Sequence, residues 1–176
     1  MVFDESEIQN TKFLINIETK YGFKYIDEML SSPIAEKLTG IVFGRTDMSR
    51  SLGLTKDDIN SEEIFAYAEK IAQKALEYKK ELVIGGGVSA QSLPFFKRLP
   101  KGALTRFETR KVIFDAQKNI QDENAFVGIL KAVSFELLWI RNKRDFYGKI
   151  SQEDENRIKI LTSRYEASIK KVGGVI

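Results

Sequence analysis

A parallel α/β fold of repeated strand–helix units is the architecture this sequence predicts, and three observations carry it. Short apolar runs recur at residues 12–17, 41–43, 82–84 and 103–107, and segments of helical periodicity separate them. The connections are short and marked by glycine, serine or proline. The first two runs are followed by carboxylates, Glu18 and Asp47, at the place where parallel sheets gather their chemistry.

The elements follow in order. Residues 12–17 alternate: Phe13, Ile15 and Ile17 face one way, Leu14, Asn16 and Glu18 the other. With helices outside, Asn16 and Glu18 then face a cleft or barrel mouth. Residues 21–30 predict a helix with Phe23, Ile26, Met29 and Leu30 on one face, stopped by Ser31, Ser32 and Pro33. Residues 41–43 are the continuous apolar run of a buried parallel strand, and residues 45–54 predict a polar loop. Ser61 with Glu62 and Glu63 is a helix start, and the apolar stripe from Ile64 to Leu76 carries that helix to about residue 80. Residues 82–84 end in Gly85, Gly86 and Gly87, after which Ser89 can cap a helix through about Leu99. Residues 103–107 form the fourth strand.

From Asn124 the character changes. Residues 126–140 predict a helix apolar on nearly all sides, which needs cover on more than one face. Ser151 with Asp154 resembles a capping box and predicts the start of a final helix. The division expected is residues 1–120 for the strand–helix units and 121–176 for a helical segment that packs on them or on a neighbouring subunit. Trp139 and the aromatics around it read as core or subunit interface.

Composition narrows the chemistry. A chain of 176 residues with 43% hydrophobic and 30% charged side chains can bury a core. Its 28 basic and 25 acidic residues interleave to a net charge of +3, so no nucleic-acid footprint is expected. With no cysteine and no histidine, thiolate zinc sites, cysteine nucleophiles and imidazole acid–base schemes are excluded. Any metal must be held by oxygens, which points to Mg²⁺, Mn²⁺ or Ca²⁺. The acidic N-terminus is no signal peptide, and no run approaches the ~18 apolar residues of a membrane span. A soluble protein in the cytoplasm, with no membrane partner, is the expectation.

Each candidate residue has an ordinary reading beside the chemical one. Glu18 and Asp47 could share a divalent cation, or could favour the N-termini of the following helices as acidic residues do. Arg45 could reach substrate or pair with Asp47. Gly85, Gly86 and Gly87 could bind a phosphate or carboxylate through backbone N–H groups, or could be a tight turn. Residues 14–20 (LINIETK) echo residues 104–110 (LTRFETR), which adds Arg106 and Glu108 as second-rank candidates. The charges at Lys79, Lys80 and Arg141 to Arg144 read as solvated helix ends.

Two motifs carry a resemblance. Ile17-Glu18-Thr19 ends the first run, and about thirty residues later come Gly44-Arg45-Thr46-Asp47-Met48-Ser49 and Ser51-Leu52-Gly53-Leu54. In order and spacing these resemble the HpcH/HpaI aldolase and citrate lyase beta-subunit family, over roughly residues 11–99. The resemblance implies a (β/α)₈ barrel that makes or breaks a carbon–carbon bond beside an enolate. It implies Glu18 and Asp47 as ligands of a Mg²⁺-type ion (or Mn²⁺), and a small oxo-acid or acyl-CoA thioester as substrate. Asn16, Arg45 and the three glycines are the expected substrate contacts.

In that family the motifs lie in the fifth and sixth strands of eight, whereas here the first lies at residue 17. The expectation is therefore the C-terminal half of a barrel: a fragment, a truncated gene product or one part of a split protein. An open set of parallel strands exposes two edges and an inner face. A homo-oligomer, or a complementing N-terminal half, is the expected partner. A non-catalytic half-barrel retained for assembly is the alternative to a working lyase.

Overall fold

The computed structural model describes residues 11–171, which divide into two compact units split after Ser134. The first is α/β and contains a five-stranded sheet in the order β1 (Phe13–Ile17), β2 (Leu38–Gly44), β3 (Glu81–Gly85), β4 (Leu104–Glu108), β5 (Ile113–Asp115). Strands β1 to β4 are parallel, and β5 pairs antiparallel with β4. The sheet is open. Strands that neighbour in sequence also neighbour in space, and crossovers of the usual right hand between successive parallel strands place their helices on one face.

Register shows which face that is. Ile17, Phe43, Ile84 and Phe107 form one cross-strand row, and each is fully buried. The helical connections supply the rest of this core. α1 (Lys20–Lys24) and α2 (Ile26–Ser31) follow β1, and a 3₁₀ turn, Pro33–Lys37, leads into β2. α3 (Arg45–Ser51) and a 3₁₀ turn, Lys56–Asn60, precede α4 (Glu62–Glu77), the longest helix between strands. Ile64, Ala68, Ile71, Ala72 and Ala75 on α4 are all fully buried. Ser61 caps α4 by accepting from Ile64 N at 3.3 Å. After β3, a 3₁₀ turn (Ala90–Ser92) and α5 (Leu93–Lys97) bring in Phe95 and Phe96. Phe96, Phe107 and Phe114 then stack in series, with centroids 5.0 and 4.9 Å apart.

The opposite face carries a different set by the period of two: Leu14, Asn16, Gly40, Val42, Gly44, Glu81, Val83, Gly85, Arg106 and Glu108. Three glycines from adjacent strands lie among them. This is the face that the alternation in residues 12–17 assigned to Asn16 and Glu18.

Several expected elements differ. Residues 21–30 are two short helices rather than one, broken at Tyr25. Residues 45–51 are helical, not loop, although Gly44 offers no side-chain cap and one wholly buried apolar residue, Met48, anchors the turn. Lys80 is no solvated helix end: its Nζ donates to Ala35 O at 2.6 Å and Leu38 O at 2.7 Å, tying the 3₁₀ turn before β2. The helix expected from Ser89 is the 3₁₀ turn plus α5, and β5 and α6 (Ala116–Asn119) were not foreseen. A three-residue antiparallel strand leaves too short a pattern to read.

Beyond residue 120 a single helix, α7 (Ala125–Lys171), replaces the two expected. Ser151 and Asp154 lie inside it, so their capping-box pattern caps nothing. Ala125, Ile129 and Ala132 are buried, which carries the first unit past the expected boundary at 120. In the second unit the aromatics expected in a core or subunit interface are not in a core of this chain: Phe135, Trp139, Phe146 and Tyr147 are each about half accessible. Among the described residues no helix is long and apolar enough to cross a membrane.

Candidate functional site

Glu18 stands one residue beyond β1, and its side chain lies across Gly44. A Cβ at Gly44 would come within 2.6 Å of Glu18 Oε1, so only glycine leaves that carboxylate its place. Thr19 is the residue that caps α1, accepting from Gly22 N at 3.0 Å. Glu18 is therefore not needed as the cap. Asp47 lies in the first turn of α3, a favourable place for an acidic side chain. It is half exposed and accepts from Arg50 Nη1 at 3.0 Å.

The Asp47 charge acts on Glu18. Burial first, and then the negative charge of Asp47, raise Glu18 above the ordinary carboxylate range. Like charges from neighbouring strand–helix units thus converge at the carboxyl end of the sheet. Hard oxygen donors, a like-charge pair and half exposure fit a Mg²⁺-type ion, which keeps most of its waters and takes few protein ligands. Among the described residues no group of three or more Asp, Glu, His or Cys side chains is arranged to hold a metal.

Glu108 lies close by in the sheet. Its Cγ and Oε1 come within 3.3 Å of where a Cβ on Gly85 would stand. Gly44 and Gly85 are register partners on adjacent strands, so Glu18 and Glu108 lean over neighbouring glycines on one face. Asn16, exposed, precedes Glu18 by two residues on that face. Arg106 goes elsewhere. Its Nη2 donates to Glu81 Oε2 at 2.7 Å, at the amino end of β3, and Nε is buried without a hydrogen-bond partner. Of the echoed motif, only the glutamate is brought to the carboxylate end.

Arg45 has a role that neither expectation gave it. It pairs with no carboxylate and does not face solvent: the residue is fully buried. Nε donates to Gly85 O at 3.2 Å, and Nη2 to Gly86 O at 3.0 Å and Ser92 Oγ at 3.2 Å. Nη1 donates to Asn60 Oδ1 at 2.6 Å, and the guanidinium lies 5.2 and 5.1 Å from the Phe95 and Phe96 rings. Burial pushes it down to about 10, leaving it charged at neutral pH. Arg45 is a staple for the glycine loop. A direct substrate contact is corrected to a supporting one, because its donors already bind backbone and side chains of this chain.

The loop explains its own glycines. Gly86 and Gly87 have φ of +81° and +64°. A Cβ on Gly86 would lie 2.6 Å from Thr46 N, and one on Gly87 2.5 Å from Ile59 Cδ1. The loop turns its carbonyls to Arg45 and packs against the start of α3. That is the tight-turn reading, with a packed neighbour where an anion would need room. Arginine beside glycine carried no sequence signal of burial, since arginine is rarely buried; the paired Phe95 and Phe96 were the available hint.

A cavity of about 680 Å³ lies away from the carboxylates, lined by Phe96, Lys97, Leu99, Lys101, Leu104 and Ile120 among others. Its lining includes no carboxylate. No family model, no curated protein and no solved structure matches the chain.

Proposed function

We propose that the chain is a metal-dependent carbon–carbon lyase unit of the aldolase and citrate lyase type, acting on a small oxo-acid or acyl thioester. One observation carries this reading: Glu18 and Asp47, from successive strand–helix units, converge at the carboxyl end of a parallel sheet and repel one another electrostatically. The sequential strand order is the winding of a barrel rather than of a doubly wound sheet, which supports the same reading. So do the paired motifs around Glu18 and Asp47.

Glu18 and Asp47 would hold Mg²⁺ or Mn²⁺. When bound, such an ion acts as a Lewis acid toward the carboxylate and carbonyl oxygens of an oxo-acid, where negative charge develops. The residues of the chain do the remaining work. Asn16 offers an amide to the substrate from the same face, and Glu108 limits the space beside Gly85. Arg45 holds the glycine loop against α3 and so keeps Asp47 on a fixed turn. A location in the cytoplasm belongs to this reading.

Calorimetric titration with Mg²⁺ tests it. Binding in the unaltered chain that is lost in Asp47→Ala and in Glu18→Gln is expected, with cleavage of an oxo-acid accompanying it. No Mg²⁺ or Mn²⁺ binding in the unaltered chain overturns the proposal. The open sheet favours a second reading, a non-catalytic half-barrel that assembles with itself or with a complementing half. That reading expects no metal-dependent heat and no turnover.

A further inference from the structure

The second unit is helical and leaves its apolar side chains to solvent. Leu137, Ile140, Tyr147, Ile158, Leu161 and Tyr165 are 48%, 54%, 58%, 56%, 50% and 60% exposed. They follow a heptad: Leu137, Ile158 and Tyr165 fall at one core position, Ile140, Tyr147 and Leu161 at the other. From Leu137 to Tyr165 the stripe spans about 42 Å at 1.5 Å per residue. An exposed stripe of this length marks an association surface.

Arg144, Ser151 and Asp154 interrupt it, and the two charges select the partner. Arg144 and Asp154 occupy core positions of successive heptads, one of each kind. A parallel pair of such helices would put Arg144 against Arg144 and Asp154 against Asp154. An antiparallel pair about an axis at Lys149 does the opposite, because the core pairs are equidistant from that residue. Leu137 then faces Leu161, Ile140 faces Ile158 and Arg144 faces Asp154 of the second copy. Flanking positions follow the same symmetry: Glu136 meets Arg164 and Arg141 meets Glu155, while Ile150 meets its own counterpart. One flanking pair, Lys143 with Arg157, is of like charge. Arg144 pairs with Asp145 within the helix at 2.7 Å, but both are largely exposed and such a pair is weak.

We propose that the helix of the second unit associates with the same helix of a second copy, antiparallel and in this register. Self-complementarity is the argument. Leucine and isoleucine meet leucine and isoleucine, Tyr147 meets Ser151, and each core charge meets its opposite when the second helix is this sequence reversed. The inference does not depend on the metal-site reading.

The absence of cysteine makes the test direct. Light scattering of the full chain at about 20 μM gives twice the chain mass, and the double variant L137C/L161C forms a covalent dimer on oxidation. L137C alone stays uncrosslinked, because its counterpart would lie ~36 Å away along the helix. R144D raises the dimer dissociation constant at least tenfold, and R144D/D154R restores it. A monomeric mass, crosslinking of L137C alone as efficient as that of the double variant, or a dimer indifferent to R144D each overturns the proposal.

Discussion

The two ends of the parallel sheet treat their carboxylates differently. At the amino end Glu81 accepts from Lys12 Nζ and from Arg106 Nη2, each at 2.7 Å, so one negative charge sits between two positive ones. At the carboxyl end Glu18 is raised first by burial and then by Asp47, a charge of the same sign. A carboxylate between cations is a finished structural contact. At the carboxyl end Asp47 has one cation, Arg50, and Glu18 has a like charge beside it, and on the proposed reading this contrast separates the functional end of the sheet from the structural one.

The largest expected effect comes from dismantling the wall behind the carboxylate end. Arg45→Met leaves the buried Gly85 and Gly86 carbonyls without their donor, and should cost about 3 kcal/mol in denaturant unfolding. Next is Gly86→Ala, which forces a side chain into positive φ and against Thr46 N. It should cost about 2 kcal/mol and displace α3, so Mg²⁺ binding should weaken with stability.

At the amino end the effect is smaller. Glu81→Gln removes two partly exposed ion pairs and should cost about 1 kcal/mol or less, with metal binding unchanged. A loss of metal binding there would break the distinction between the two ends. The smallest stability change is expected of Asp47→Asn, and it lies in the pH profile. Because Glu18 is raised in the folded chain, the folded state binds its proton more tightly than the unfolded one. That contribution is present at low pH and is lost as pH rises through the folded value, so stability falls with pH across that window. With Asp47 neutral the fall should shrink, which acid-range unfolding curves can read.

Sequence alone made much of the sheet legible, for physical reasons. Residues 82–84 are buried on both faces, and residues 41–43 are buried at Ile41 and Phe43 and partly so at Val42, so both read as unbroken apolar runs, as parallel strands do. Alternation in residues 12–17 put Asn16 and Glu18 on one face, because the side-chain period of a strand leaves no other choice. The failures have causes too. Arg45 looked like a loop residue, since its burial depends on carbonyls forty residues away that no local pattern announces. Ser151 looked like a helix start because a capping box is recognised locally, whereas the continuous helix through it rests on residues on both sides. Arg106 and Glu108 shared one echoed motif yet went to opposite ends of the sheet. Residues two apart on a strand share a face, but a long arginine side chain reaches back to Glu81 while Glu108 reaches forward over Gly85.

The most direct measurement is the titration of the Glu18 side-chain carboxyl by carbon-detected NMR, in the unaltered chain and in Asp47→Asn, with and without Mg²⁺. A midpoint above the ordinary carboxylate range, moving down when Asp47 is neutralised and down again on adding Mg²⁺ to the unaltered chain, is the predicted result. A Glu18 midpoint at or below the ordinary range, indifferent to both Asp47 and Mg²⁺, would contradict it.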